Sequence, residues 1–396
     1  MVLAFRPNTY AEKVCLNLYS NLFFHYRNMV NKFYAFGNFG KMTEVPKSGG
    51  QSSARRVVAG LEKMGYEVET MSRRRCVLEG KFIHFLETQS FAVIDLIKIL
   101  KHIFLGNRKN SVFLVLTYGG NLAPYELIVS MVVRFLGYKS VTYMKGGQFM
   151  DYYHRGSRFY KWLVKKNMDL QTQAWFEGIP SLDIVEKISK THLVYYPNYV
   201  FEDNILETIP EKANDKLNLI YFGRVTPDKN VDVIIKAFNL LCEKYTDVYL
   251  TIIGGSGFSK AYVKDIDEMI LQSPYKSNII RKGLTPFAEI KEMMLAQHMF
   301  VFPSCARCEG HSNSLNEAMG YGLIPIVSNY HFNSAIVGDE RLIVEGFEPE
   351  AYADKISYIR ENLDMKEISK KMRDRVQDNF SFDIVNNRIA EELRKL

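Results

Sequence analysis

Cysteine is scarce and scattered. Cys15, Cys76, Cys242, Cys305 and Cys308 are an odd set in 396 residues, with no regular spacing. That excludes a disulfide framework and fits a reducing compartment. Cys305 and Cys308 form a Cys-x-x-Cys pair, yet a redox motif opens a helix in a thioredoxin-like unit and a zinc site needs two further ligands nearby; neither context is present. No stretch reaches about 18 apolar residues without a charge, so no segment is expected to span a bilayer. The first residues carry Arg6, Glu12 and Lys13 and lack an apolar core with a small-residue cleavage site, so no signal peptide is expected and the protein is expected in the cytoplasm. Low-complexity tracts and short-period repeats are also lacking, and the composition is neither collagenous nor that of a disordered chain.

What is present suits two cores. The length is comfortable for two domains of about 200 residues each, and 47% hydrophobic with 13% aromatic residues can fill both. The net charge of +7 conceals an asymmetry: residues 1–200 hold 27 Lys+Arg against 14 Asp+Glu (+13), and residues 201–396 hold 24 against 30 (−6). A basic half beside an acidic half implies that one domain faces a polyanion, whether nucleic acid, an anionic membrane surface or a phosphate-bearing substrate.

Apolar runs alternate with helical patterns throughout, as in βαβ units with parallel sheets. In the first half, strands are expected at 32–37 (after a helical extension), 66–70, 112–117, 140–144 and 193–196, with helices at 52–65 and 124–136. The charge-dense segment 202–216, containing Pro210, reads as a linker between domains 1–205 and 206–380. The second half restarts with a strand at 217–222 and a helix at 231–245, followed by strands at 248–253, 279–282, 299–302 and 324–328. Residues 91–105 (FAVIDLIKILKHIFL) place Lys98, Lys101 and His102 among large apolar side chains, just before Arg108 and Lys109. This segment is either a partly buried surface helix or a helix lying in a lipid interface with basic residues near anionic headgroups.

Two motifs carry chemistry. In Phe222-Gly-Arg-Val-Thr-Pro-Asp-Lys-Asn230, a strand ends at Gly223, and Arg224 and Lys229 occupy the turn into the next helix. Ligands of open α/β sheets bind beyond the carboxyl ends of strands, where two cations can hold a diphosphate and stabilise its charge as it leaves. A solvated turn that merely starts a helix is the plainer reading. In Glu309-Gly-His-Ser-Asn-Ser-Leu-Asn-Glu317, the loop Glu309 to Asn313 should present backbone N–H groups at a helix start, ready for an anion. Glu317, one turn into that helix, directs its carboxylate back toward the same pocket. Two such carboxylates can accept from two sets of sugar hydroxyls; an ordinary macrodipole-satisfying Glu is the alternative. Gly320 and Gly322 allow a tight helix end.

Arg224 with Lys229, the stretch Ile253-Gly-Gly-Ser-Gly257 and the Glu-x7-Glu pattern from Glu309 to Glu317 occur in one order at consistent distances. With Pro325 and a final Phe380-Ser-Phe382 helix start, the second half closely resembles glycosyltransferase family 4. The resemblance implies a GT-B fold, two Rossmann-like doubly wound α/β domains facing a cleft, with residues 381–396 crossing back onto the first. It further implies a retaining, metal-independent transfer from a nucleotide-sugar co-substrate, with no other cofactor. Arg224 and Lys229 would grip the donor diphosphate, alongside Gly223 and Gly255. Glu309 would face the donor sugar, the amides of Gly310, His311, Ser312 and Asn313 would lie near the sugar and phosphates, Glu317 would bind the ribose, and Lys282 to Leu284 would lie by the nucleobase.

The first half resembles the family less. Ser48-Gly-Gly-Gln51, with Gly49 and Gly50, stands at the position of a Gly-rich loop near diphosphate and acceptor. Tyr118-Gly119-Gly-Asn121 points a flexible loop at the cleft. After the strand 140–144 the family often has His-Gly, where this chain has Lys145-Gly146-Gly147. A lysine can bind phosphate but cannot act as the same neutral donor. The basic first half, with Arg73 to Arg75 and the cluster Arg155 to Lys166, suggests a glycan acceptor carried on a lipid diphosphate, at the cytoplasmic face of an anionic membrane, solubilising charge being the alternative. Other classes fit less well. No nucleic-acid module appears, a sugar-nucleotide epimerase of the same architecture needs acid/base groups not identifiable here, and a binding protein without transfer remains open.

Overall fold

The computed structural model describes residues 30–44, 49–74, 81–117, 119–213, 215–256, 259–306 and 309–396. The expected helical extension before Lys32, and Cys15, Ser48, Arg75, Cys76, Tyr118, Gly257 and Cys308, lie outside them. The first half runs β1 (Lys32–Gly37), α1 (Gly49–Lys63), β2 (Glu67–Ser72), α2 (Lys81–Leu105), β3 (Ser111–Thr117), α3 (Ala123–Phe135), β4 (Lys139–Met144), α4 (Gln148–Arg155), α5 (Arg158–Asp169), β5 (Gln173–Phe176), α6 (Ile179–Glu186) and β6 (His192–Tyr195). The second runs β7 (Leu217–Phe222), α7 (Val231–Lys244), β8 (Val248–Ile253), α8 (Lys260–Gln272), β9 (Ile279–Lys282), α9 (Phe287–Met294), β10 (Met299–Phe302), α10 (Asn313–Gly320), β11 (Ile324–Ser328), α11 (Asn333–Val337), β12 (Ile343–Val344), α12 (Pro349–Asn362), α13 (Met365–Phe380) and α14 (Phe382–Leu393).

Each half forms a six-stranded parallel sheet, in the orders β2-β1-β3-β4-β5-β6 and β12-β11-β10-β7-β8-β9. Helices cover both faces, which is why central strands such as β3 (SVFLVLT) are buried at every residue instead of alternating. The chain has the two-domain, Rossmann-like α/β architecture called GT-B. Strand order reverses between β1 and β3 in the first sheet and between β7 and β10 in the second, and the loops beyond the carboxyl ends of those strands are where such folds bind ligands.

Strands β7 to β11 fall at the expected residues. In the first half α1 starts earlier, at Gly49, and β2 extends to Ser72. The reading missed β5, whose four residues QAWF are all buried between β4 and β6 but are too few to establish a period.

The chain passes twice between the sheets, and the two passages hydrogen-bond to each other: Val200 N–H donates to Phe380 O and Phe382 N–H to Val200 O, both at 2.8 Å. Beyond this crossing α14 inserts Phe382, Val385, Ile389 and Leu393 into the core of the first sheet, against Phe33, Val57, Leu61 and Tyr196. Trp175 and Tyr196 close that core edge-to-face at 5.2 Å. Residues 205–213 are anchored, not loose: Ile205 is buried, Leu206 N–H donates to Gly320 O at 3.0 Å, and the Lys212 ammonium donates to Gly322 O at 3.1 Å.

Ile389 is fully buried. Ile389→Ala is expected to cost about 2–5 kcal/mol and to lower amide-exchange protection across residues 382–393 first, since α14 is a terminal element held by that one face. Unchanged protection there would contradict this account of the crossing.

Candidate functional site

The site is built at the carboxyl ends of β7 and β10. Beyond Phe222 the backbone of Gly223 hydrogen-bonds across to β8 (N–H to Ile253 O, 3.0 Å), and Val225 N–H donates to Gly255 O at 2.9 Å. Gly254 lies so close that a Cβ there would stand 1.7 Å from Gly223 O, with φ at +146°, so no side chain fits. The turn carrying Arg224 is held by Tyr221, whose hydroxyl donates to Arg224 O at 2.6 Å. A 3₁₀ turn over Pro227–Lys229 follows, and Asn230 then takes a left-handed conformation (φ 50°, ψ 46°) before α7. Its side-chain amide donates to Pro303 O at 2.8 Å, and Cys305 N–H donates to Asp228 O at 2.9 Å. The loops leaving β7 and β10 are therefore stitched together.

Lys229 is 6% exposed, its ammonium 4.9 Å from the ring centroid of Phe302. It is ion-paired with Glu309 and donates to Ser304 Oγ at 3.2 Å, while Ser304 Oγ donates to Glu309 Oε2 at 3.3 Å. One cation, one carboxylate and one hydroxyl thus form a closed triad in which the two charged groups offset each other's burial.

The loop from Glu309 to Ser312 is fixed from both sheets. Ser312 caps α10, its hydroxyl accepting from Leu315 N–H at 3.4 Å. His311 is 3% exposed; it packs edge-to-face on Phe380 at 4.7 Å, and its Nε2 meets Asn316 Oδ1 at 3.1 Å. Burial pushes its pKa down to about 4, so the imidazole is neutral near pH 7. Its carbonyl accepts from Asn198 Nδ2 at 2.6 Å, and Asn316 Nδ2 returns a bond to Asn198 O at 3.1 Å. A Cβ on Gly310 would meet Glu177 Oε1 at 1.6 Å, and one on Gly147 would meet Glu309 O at 2.2 Å. Glycine is required on both sides because the backbones of the two lobes touch here.

Lys145 is the main surprise of the first lobe. It is 4% exposed, and its ammonium pairs with Glu177 Oε2 at 3.0 Å, donates to Asn198 Oδ1 at 2.8 Å and stands 4.2 Å from the Tyr143 ring. Burial lowers its pKa against the opposing pull of Glu177. Glu177, 5% exposed, also accepts from Gly146 N–H at 2.5 Å. The ammonium is committed inside the protein, so Lys145 is not placed to serve a phosphate. Gly49 and Gly50 open α1 and are exposed; Gly119, in a left-handed turn, donates to Glu126 at 3.3 Å.

Glu317 also meets the other lobe. Arg56 of α1 pairs with its Oε1 at 2.6 Å and donates to Asn313 Oδ1 at 3.0 Å and Tyr199 O at 2.7 Å. Burial raises the Glu317 pKa, which Arg56 opposes. At the β9 end, Lys282 O accepts from Gly254 N–H at 3.0 Å while its ammonium turns to Glu289 at 2.5 Å, so its backbone and not its charge faces the glycine loop. Leu284 is 88% exposed and its Cβ would lie 3.8 Å from a Cβ at Gly255. The structure thus gathers Arg224, Lys229, Glu309 and the 310–313 loop on adjacent strand ends and sets Glu317 at the lobe boundary. The sequence reading missed Arg56, Glu177 and Asn198. No local pattern pointed to them, since the burial of Lys145 that calls for a carboxylate is visible only in the structure.

Glu177→Ala is expected to strand the Lys145 ammonium and cost about 3–5 kcal/mol in urea unfolding, with Lys145→Met plus Glu177→Gln recovering most of the loss. In the cycle of Lys145→Met, Glu177→Gln and the two together, strict additivity of the single changes would contradict the pairing.

Residues 204–378 match the family described as "Glycosyl transferases group 1". Among curated relatives, the chain is 26% identical over 196 residues to the capsular polysaccharide biosynthesis glycosyltransferase CapM of Staphylococcus aureus, covering 48% of this chain and 50% of CapM. It is 23% identical over 272 residues to the putative glycosyltransferase YtcC of Bacillus subtilis (65% and 64%), and 25% identical over 190 residues to the putative colanic acid biosynthesis glycosyltransferase WcaL of Escherichia coli (46% and 45%). The chain therefore spans about half to two-thirds of the length of these relatives. Among solved structures, sucrose-phosphate synthase from Thermosynechococcus elongatus superposes with a TM-score of 0.71 at 14% identity, covering 92% of this chain and 98% of the other. Anabaena HepE in complex with UDP gives 0.67 at 12%, covering 92% and 100%. The chain thus has the GT-B architecture, and the lobe that carries Arg224, Lys229 and Glu309 matches the group 1 glycosyl transferases.

Proposed function

We propose that the chain is a retaining glycosyltransferase of family 4 that moves a hexose-type sugar from a nucleoside-diphosphate donor to a hydroxyl of a glycan acceptor, in polysaccharide or lipid-linked glycan assembly. The observation that carries this reading is the pairing of Lys229 with Glu309 across the adjacent ends of β7 and β10, where strand order reverses, with Arg224 on the same turn as Lys229. The polysaccharide roles in the names of CapM and WcaL point the same way.

The contacts within the site suggest how a donor is received. A diphosphate arriving between Arg224 and Lys229 draws the Lys229 ammonium from Glu309, whose carboxylate then accepts from sugar hydroxyls. The amides of residues 310–312 face the phosphates. Arg56 occupies Glu317 Oε1 and leaves Oε2 for a ribose hydroxyl, and Leu284 covers the base above Gly255. In the reaction the anomeric C–O bond to the diphosphate breaks as the acceptor oxygen attacks from the same face. The acceptor's proton passes to the departing phosphate oxygen. Arg224, Lys229 and backbone dipoles stabilise the charge that develops, so the reading invokes no metal.

For the acceptor, we place the first lobe against an anionic membrane at its cytoplasmic face. Among the described residues no helix is long and apolar enough to cross a membrane. Neighbouring helices nonetheless expose large apolar side chains: Val93, Ile97 and Phe104 on α2, Met131 and Phe135 on α3, and the stacked pair Phe159 and Trp162 on α5. Lys98, Lys101, Arg134, Arg158 and Lys166 stand among them, which suits a surface held by apolar insertion plus anionic headgroups.

Arg224→Ala and Lys229→Ala are each expected to lower transfer by about 100-fold or more with the donor that most raises the melting temperature in a panel of UDP-, GDP- and ADP-sugars. Turnover within about threefold of wild type would remove the electrostatic assignment. Flotation with anionic vesicles is expected at low salt and to weaken at high salt; absence of binding at every salt concentration would remove the membrane assignment.

A further inference from the structure

A second cavity lies at the opposite end of the second sheet from the donor cleft. Its volume is about 710 Å³, within the range of small-molecule sites. It opens where residues 207–213 cross the start of β7 and face α13. Leu217 and Ile324, at the amino-terminal starts of β7 and β11, and Met365 supply an apolar floor. The carboxyl ends that carry Arg224 and Lys229 are a strand length away, about 17–20 Å.

The walls are cationic beyond what the protein neutralises. Arg360 pairs with Asp247 at 2.6 Å, Lys366 with Glu211 at 2.8 Å and Arg373 with Asp374 at 3.0 Å. Lys212, Lys216 and Lys370 also line the cavity and make no ion pair among the described residues; Lys216 and Lys370 are exposed, as is Glu207, which also lines it. The Nε of Arg373 is buried and has no hydrogen-bond partner among the described residues. Among the described residues Lys212 has only the carbonyl of Gly322 as a bonded partner, and burial lowers its pKa to about 8. Beside it His298, its pKa lowered by burial, bonds through Nε2 to Ala213 O at 3.1 Å and adds no negative charge. A desolvated ammonium without a counter-charge is costly; among the described residues Lys212 is in that position, and further cations line the same apolar-floored space.

We propose that this cavity binds a small organic phosphate, its dianionic head between Lys212, Lys370 and Arg373 and its apolar body on Leu217, Ile324 and Met365. Two charges and three acceptor oxygens match several convergent cations better than one carboxylate does. The volume exceeds what a phosphate alone would fill. An occupant bridges residues 207–213 to α13, the two segments that lead into the interlobe crossing at Val200 and Ser381.

The test is calorimetric titration of the full chain with phenyl phosphate, benzoate, inorganic phosphate and benzyl alcohol, with amide exchange read in parallel. Phenyl phosphate is expected to bind saturably, more tightly than the other three, and to protect residues 206–213 and 366–373. Lys212→Met and the surface change Lys370→Glu are each expected to weaken it at least about tenfold, while Arg224→Ala leaves it unchanged. Loss of binding in Arg224→Ala with retention in Lys370→Glu would move the phosphate to the donor cleft and overturn the proposal. Benzoate or benzyl alcohol binding as tightly, or no saturable binding, would overturn it too. Donor binding and transfer are not part of this readout, so the proposed enzyme activity can fail or stand independently.

Discussion

An ammonium and a carboxylate with almost no exposure meet where the two lobes touch, and the geometry of the cleft follows from them. Lys145 and Glu177 are both strand-end residues of the first sheet, and Glu177 also takes the N–H of Gly146 while standing against Gly310. Burying two charges is worthwhile only when each is fully satisfied, and here Asn198 completes the set by accepting from Lys145 and donating to His311 O. The result is a rigid seat for the 309–312 loop made by the other lobe. If this loop binds an anion, as proposed, it acts through the direction of its N–H groups, and a seat that fixes its backbone then matters more than any single side chain on it.

The second constraint is topological. In each sheet all strands run parallel, so every loop able to approach a ligand leaves from the same edge. Arg224 and Lys229 after β7 and Glu309 after β10 are neighbours because these strands flank the reversal of order. The triad of Lys229, Ser304 and Glu309 holds the cation in place. Arg56 does the same for Glu317 from across the boundary. The site is a set of charges paired with each other, and under the proposed function a diphosphate sugar would exchange into those pairs.

Much of this was legible in the sequence, for a physical reason. Strands covered on both faces must be continuously apolar, so β3, β7, β8, β10 and β11 announce themselves, and the turns after them carry the motif residues. The α/β class and the placing of these residues at strand ends follow from local pattern, while the GT-B fold and the grouping of Arg224, Lys229 and the Glu309 loop into one site came from the family resemblance that their order and spacing carry. The partners were not legible. Arg56 contacts Glu317 across 261 positions, and Asn198 contacts His311 across 113; no periodicity encodes a contact between separate sheets. β5 was invisible because four residues cannot show a period, and with it went Glu177, which immediately follows. Lys145 was noticed as a departure from His-Gly, and its role changed once its carboxylate was seen.

The central claim is that a nucleotide's diphosphate is held between Arg224, Lys229 and the 310–312 amides. The most direct measurement is a crystal structure of the full chain with whichever of UDP, GDP or ADP stabilises it most. The account expects both phosphates within hydrogen-bond distance of the Arg224 guanidinium, the Lys229 ammonium turned away from Glu309, and a ribose hydroxyl on Glu317. A nucleotide bound elsewhere, with the Lys229–Glu309 pair intact, would contradict it.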